Sequence, residues 1–311
     1  DYFGADTLDY TLGAGDARVS HGSVSFTVTP VNDAPDLIRN NGATVAEGGS
    51  VVVGDMQIKV TDIEQAAASL TFTLDSAPGY GTLRKSGVVL AVGGTFTQAD
   101  IDANRIVYSH DGSETLADHF NYSVADGAGG SLFPSNFAIT VTPVNDTPVL
   151  AINTGGALLE GGTLTIANTQ LRVTDADNTA AQIQYTLATT PLSGNLILNG
   201  VALGMGATFT QFDVDNNRLA YMHGGSENFS DGFNVTVADG AGGVIGDTRF
   251  ALSITNVNDA PVLVLNLPKT VSEGGSAVWD NASLLVTDAE QGAIDLHYRL
   301  TQLPGHGLLR M

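Results

Sequence analysis

Three copies of one turn, "TPVNDAP" at 29–35, "TPVNDTP" at 142–148 and "TNVNDAP" at 255–261, set Asn32, Asn145 and Asn258 at intervals of 113 residues. A period of this length means that one domain-sized unit recurs and that the turn joins each unit to the next. Other strings keep step with it. "AEGGS" (46–50) returns as "LEGGT" (159–163) and "SEGGS" (272–276), and "VTDIE" (60–64) returns as "VTDAD" (173–177) and "VTDAE" (286–290). "FTQADIDANRIVYSHDGSE" (96–114) matches "FTQFDVDNNRLAYMHGGSE" (209–227), and "FNYSVADGAGG" (120–130) matches "FNVTVADGAGG" (233–243). The period predicts two complete repeats, 34–146 and 147–259. They are flanked by the C-terminal part of a repeat at 1–33 and the N-terminal part of another at 260–311.

Inside a repeat the apolar residues alternate. "LTFTL" (70–74), "RIVYSH" (105–110), "HFNYSVAD" (119–126) and "FAITVT" (137–142) are short, rich in β-branched and aromatic residues, and separated by Gly, Asn, Asp or Pro. Each predicts a half-buried strand. The one helical signal is "TQADIDAN" (97–104), where Thr97 and Asp100 are placed to cap a single turn. Seven or more short strands in each 113-residue period predict an all-β fold of tandem antiparallel β-sandwiches. The end pieces are parts of sandwiches that would each leave an inner face open. The chain is therefore either a window on a longer array, or its head is completed by the tail of another copy.

Charge narrows the partners. With 33 acidic and 12 basic residues the formal net charge is -21, which makes nucleic acid and anionic membrane surfaces poor partners and predicts no nucleic-acid binding. No apolar run approaches the roughly 20 residues that span a bilayer. Cysteine is absent, which leaves cores and oxygen-ligated metal as sources of stability. Of the acids only 7 are Glu and 26 are Asp, the shorter carboxylate that favours turns. Each repeat gathers them at fixed places: the Asn-Asp turn, a Glu before two glycines, an Asp-x-Asp/Glu pair, the "HDGSE" acids and the Asp of "VADGAGG". Calcium takes 6–8 oxygen ligands of mixed kind. No single loop here offers that many, so loops at one pole of a sandwich and the linker would have to converge. Without metal, the same turn is an Asn/Asp-capped, proline-stiffened connection. "DIDAN" (100–104) lacks the Gly and Glu of an EF-hand loop and is a capped turn.

The long string "FTQADIDANRIVYSHDGSE", followed by "DHFNYSVADGAGG", resembles the chondroitin-sulfate-proteoglycan type repeat, a cadherin-like module of extracellular matrix proteins and large bacterial surface proteins. "VNDAP" resembles the cadherin linker, and "VTDAD" the cadherin Asp-x-Asp. The resemblance implies calcium at the junctions and assigns ligands to three of them. For the first they are Asn32, Asp33, Asp62, Glu64 and Asp126. For the second they are Glu47, Asp111, Glu114, Asn145, Asp146, Asp175, Asp177 and Asp239. For the third they are Glu160, Glu227, Asn258, Asp259, Asp288 and Glu290.

Departures from the cadherin pattern imply fewer ions, one or two per junction. Gly224 replaces the Asp111 equivalent, two of the three Asp-x-acid pairs end in Glu, and Ala34 or Thr147 stands where a cadherin linker carries a second Asn. Binding would fall in the roughly 10⁻⁴–10⁻³ M range of extracellular modules.

His110 and His223 stand beside Ser and Glu, but as neighbours in one loop copied in both repeats. That predicts a strand-end histidine hydrogen-bonded to the following turn and no enzyme. The expected function is a calcium-rigidified stalk or spacer of a cell-surface adhesin, outside the cell. The cysteine-free array points to the bacterial versions. The alternative is the shaft of a self-assembling extracellular fibre or matrix protein. Its partners would be neighbouring repeats, other copies of itself and an unknown surface ligand.

Overall fold

The computed structural model describes residues 2–310. They form two compact units, divided between Val144 and Asn145. The first opens with an antiparallel hairpin, β1 (Gly4–Gly13) and β2 (Val19–Val28). Next come β3 (Asp36–Asn40), β4 (Ala43–Ala46), β5 (Ser50–Val52), β6 (Ile58–Thr61), β7 (Thr71–Ser76), β8 (Gly81–Lys85), β9 (Val88–Val89) and β10 (Thr95–Thr97). The short helix α1 (Gln98–Asp102), β11 (Ile106–His110), β12 (Ala117–Ala125) and β13 (Ser131–Thr142) complete it. One sheet runs β10-β7-β12-β13-β4 and the other β5-β11-β8-β9, while β3 and β6 pair separately.

The alternation seen in the sequence is what builds the core. Along β12 the side chains of Phe120, Tyr122 and Val124 are buried, and along β13 those of Phe137, Ile139 and Val141, every second residue in each strand. Aromatic pairs fill the centre: Phe72 stacks on Phe96 at 5.0 Å between ring centroids and Phe120 on Phe137 at 4.9 Å. The helix begins where the sequence predicts. Thr97 accepts from the Asp100 N–H and Asp100 accepts from the Thr97 N–H, a reciprocal capping box. Pairing of β4 with β13 is parallel, Ala43 against Ile139 through Ala46 against Thr142. This contact closes the repeat, because its two strands lie at opposite ends of it.

A buried carboxylate crosses between the two sheets. Asp118, on β12, accepts hydrogen bonds from the Gly79, Tyr80 and His119 N–H groups at 2.9, 3.0 and 2.7 Å. It also accepts from the Tyr108 hydroxyl of β11 at 2.8 Å. Burial pushes this carboxyl up, but these donors win and hold it below the ordinary 3.8.

The second unit repeats the plan with β14 (Val149–Asn153), β15 (Gly156–Leu159), β16 (Thr163–Thr165), β17 (Leu171–Thr174), β18 (Gln184–Thr189), β19 (Gly194–Leu198), β20 (Val201–Ala202) and β21 (Thr208–Thr210). The helix α2 (Gln211–Asp215), β22 (Leu219–His223), β23 (Ser230–Ala238) and β24 (Val244–Thr255) follow. Sheet orders β15-β24-β23-β18-β21 and β16-β22-β19-β20 mirror the first unit. Asp231 takes the place of Asp118, accepting from the Leu192, Ser193 and Gly232 N–H groups and from the Tyr221 hydroxyl. The last pair, β25 (Val262–Asn266) with β26 (Leu284–Thr287), repeats the β14–β17 pair and its bulge, with Leu263 exposed where its counterpart Leu150 is half-buried.

Candidate metal centre

Each linker turn is held by the same short circuit of polar groups. The Asn32 amide donates to the Asp33 carbonyl at 2.8 Å and to Asp126 Oδ2 at 2.6 Å, and the Asp33 N–H donates to Glu64 at 3.2 Å. One period later the Asn145 amide donates to Asp239 Oδ2 at 2.8 Å and the Asp146 N–H to Asp177 at 2.6 Å. At the last turn the Asn258 amide donates to the Asp259 carbonyl at 2.7 Å and the Asp259 N–H to Glu290 at 3.2 Å. The first acid of each Asp-x-acid pair folds its own loop. Asp62 Oδ1 accepts from the Glu64 and Gln65 N–H groups, Asp175 Oδ1 from Asp177 and Asn178, and Asp288 Oδ1 from Glu290 and Gln291. In all three the second oxygen, Oδ2, is buried and has no hydrogen-bond partner. A buried carboxylate oxygen without a donor costs free energy, and the same orphan recurs at the same register three times.

Asp126 and Asp239 are employed differently. Asp126 Oδ1 accepts from the Ala128, Gly129 and Gly130 N–H groups, and Oδ2 from Gly130 and the Asn32 amide. Asp239 does the same with Ala241, Gly242, Gly243 and the Asn145 amide. The linker amide first, then these N–H groups, hold both carboxyls below the ordinary 3.8 against the cost of burial. Four donors fill the roughly four acceptor positions of a carboxylate, so these two brace the linker. Gly130 is required here, since a Cβ would collide with the Asp126 carboxylate and the Asp33 carbonyl.

The second unit contains all six residues assigned to the third junction. Glu160, Glu227 and Asp259 each bring a carboxylate oxygen to within 4.8 Å of the others. Glu160 Oε2 accepts from the Val257 N–H at 3.2 Å, and its Oε1 is buried without a partner. Glu227 accepts from the Asn256 amide at 2.6 Å. Lost hydration and the charges of Glu160, Glu290 and Asp259 raise the Glu227 carboxyl from its ordinary 4.5 to about 7. Carboxylates this close repel unless a proton or a cation comes between them. In the first unit Glu47 accepts from the Val144 N–H at 3.3 Å, matching Glu160, while the exposed Asp111 accepts from the Ser113 N–H and hydroxyl of its own loop at 3.0 and 2.7 Å. Glu114 follows Ser113 in that loop.

His110 and His223 act on backbone, as expected. Nδ1 of His110 accepts from the Gly112 N–H and Nδ1 of His223 from the Gly225 N–H. Several polar groups at the turns escaped sequence reasoning. Gln65 and Gln291 donate to Asn32 and Asn258, and Asn178 donates to the Asp239 carbonyl. The signal was there, because 65, 178 and 291 fall on the period and all carry amides. Asn256 replaces the proline of the other two turns, a break in the period that marked it.

Sandwich repeats joined by turns that gather carboxylates define a class of tandem extracellular modules. The chain belongs to the cadherin-like family, whose model matches residues 35–141 and 148–254. It is 28% identical to the extracellular matrix organizing protein FRAS1 of Homo sapiens over 98% of this chain and 8% of that protein. It is 29% identical to chondroitin sulfate proteoglycan 4 of Homo sapiens over 98% of this chain and 14% of that protein. Extracellular matrix protein 3 of Lytechinus variegatus is 27% identical over 91% of this chain and 9% of that protein. The chain thus spans about a tenth of the length of these relatives. Among solved structures it is similar to the extracellular cadherin domains 1–4 of protocadherin gamma B7. The identity is 13% and the TM-score 0.45, over 89% of this chain and 65% of that one. These relatives are animal proteins, so the expectation of a bacterial source finds no support in them. Among the described residues no helix is long and apolar enough to cross a membrane.

Proposed function

We propose that this chain is a spacer segment of an extracellular matrix or cell-surface protein, and that calcium stiffens the junctions between its repeats. The observation that carries the proposal is the junction of the second unit. There Glu160, Glu227 and Asp259 crowd together, and buried oxygens of Glu160 and Asp288 lack any donor. A hard divalent cation fits this donor set of carboxylate and amide oxygens, with no thiol present. Glu160, Glu227, Asp259, Asp288 and Glu290 would hold it, with Asn258 shaping the turn. The cation would supply the positive charge that offsets their repulsion. The period repeats these oxygen donors as Glu47, Glu114, Asn145, Asp146, Asp175 and Asp177, the last in place of a Glu, and as Asn32, Asp33, Asp62 and Glu64. Asp126 and Asp239 serve as braces for the linker amide, and Asp111 serves its own loop. The spacer role rests on the matrix relatives and on repeats whose junctions would be rigid only when charge is neutralised.

Calcium titration of the chain by calorimetry, with thermal unfolding in calcium and in chelator, tests this. Calcium at about a hundred times its Kd stabilises a folded protein by about 2.7 kcal/mol. A chain that takes up no calcium and melts identically in both conditions would refute the metal reading.

A further inference from the structure

Two buried histidines stand where the glutamate-bearing loops meet. His110 is 5% exposed and His223 is 4% exposed. Nδ1 of His223 accepts two hydrogen bonds, from the Gly161 N–H at 3.1 Å and the Gly225 N–H at 3.2 Å. Gly161 follows Glu160, and Gly225 lies two residues before Glu227. His110 does the same one period earlier, accepting from the Gly48 N–H at 3.2 Å and the Gly112 N–H at 3.3 Å, next to Glu47 and Glu114. The backbone adds a second tie: the His223 N–H donates to the Gly162 carbonyl at 3.0 Å and the His110 N–H to the Gly49 carbonyl at 2.9 Å. The four glycines have φ between 62° and 85°, the left-handed turns that aim these N–H groups at the ring.

A nitrogen that accepts from two N–H groups carries no proton, so each ring is neutral with its hydrogen on Nε2. One in-plane lone pair therefore joins two loops just beyond the ends of paired strands, β16 with β22 and, one period earlier, β5 with β11, and extends that pairing from the strands to the glutamate-bearing turns.

We propose that His110 and His223 are positioning residues for the junctional cation. Each ties the turn that follows one ligand glutamate to the turn that precedes the other, and so sets the spacing of the two carboxylates before a cation arrives. This rests on the calcium reading above. Groups that orient ligands without touching a metal commonly govern its affinity by about 10–100-fold. Holding like charges near one another also opposes their repulsion, which loops without such a tie would relieve by separating.

The experiment uses the chain with His223→Phe and His223→Asn, calcium affinity by calorimetry, and amide exchange by NMR in chelator. Phe keeps the ring volume and removes the acceptor, while the Asn carbonyl oxygen lies near the position of Nδ1. The expected result is that one class of calcium sites weakens about tenfold in His223→Phe and recovers in His223→Asn. A role in packing alone predicts the reverse order, and that result, or a folded His223→Phe with unchanged affinity, overturns the proposal. Should His223→Phe fail to fold, the wild-type chain decides. Slow exchange of the Gly161 and Gly225 amides without calcium is required, and fast exchange at either overturns it. If the wild type binds no calcium, the metal reading fails, while the exchange experiment still reports whether the tie exists.

Discussion

The two histidines differ by one neighbour, and that difference is measurable. His110 Nε2 lies 2.9 Å from the Thr115 hydroxyl, whereas the buried Nε2 of His223 has no partner. The period puts Asn228 in the place of Thr115, and the Asn228 amide turns away to Ser193 and Ser226. Asn228→Thr should restore the missing acceptor and stabilise the chain by about 1 kcal/mol, read as a higher urea midpoint at unchanged slope. Much at this scale was legible in the sequence. All seven glutamates fall in the recurring strings, at 47, 160 and 273 before paired glycines, at 64 and 290 after "VTD", and at 114 and 227 in "GSE". What could not be read was which carboxylates have oxygens to offer. Asp126 and Asp62 look alike in a string, but the nest of N–H groups around Asp126 exists only once "DGAGG" has folded.

Strands were legible for a related reason: a side chain that alternates in character every second residue announces both the strand and its buried face. The parallel pairing of β4 with β13 was not, because nothing local to Ala43–Ala46 says that its partner lies some hundred residues away. Nor was the Asp118 bridge legible, which joins β12 in one sheet to Tyr108 of β11 in the other. Asp118→Ala would remove the acceptor of three N–H groups and of the buried Tyr108 hydroxyl, and should destabilise the first unit by on the order of 2 kcal/mol in denaturant unfolding. The carboxyls of Asp118 and Asp231 sit below 3.8 in the folded chain. A depressed value means that the stabilisation is present above pH 3.8 and is lost as pH falls through the lower folded value. Acid unfolding followed by circular dichroism should therefore steepen below about pH 4, and Asp118→Asn should flatten that limb.

At the scale of the molecule, the period and the family were legible and the source was not, since the absence of cysteine does not distinguish bacterial from animal arrays. Asp259→Ala should abolish the calcium-dependent part of the melting shift at the last junction, about 2.7 kcal/mol at a hundredfold excess over Kd, and leave melting in chelator nearly unchanged. A period also has no starting point of its own, and the hydrogen bonds of the turns provide one. The Val144 N–H is donated backward to Glu47, while the groups of Asn145 and Asp146 are donated forward to Asp239 and Asp177; Val257 and Asp259 divide in the same way between Glu160 and Glu290. The chain changes allegiance at a single peptide bond, so the natural reading frame of the array begins at the asparagine. A module excised as 145–257 should keep its leading turn folded and melt higher than one excised as 147–259, which would carry away its neighbour's turn and leave its own behind.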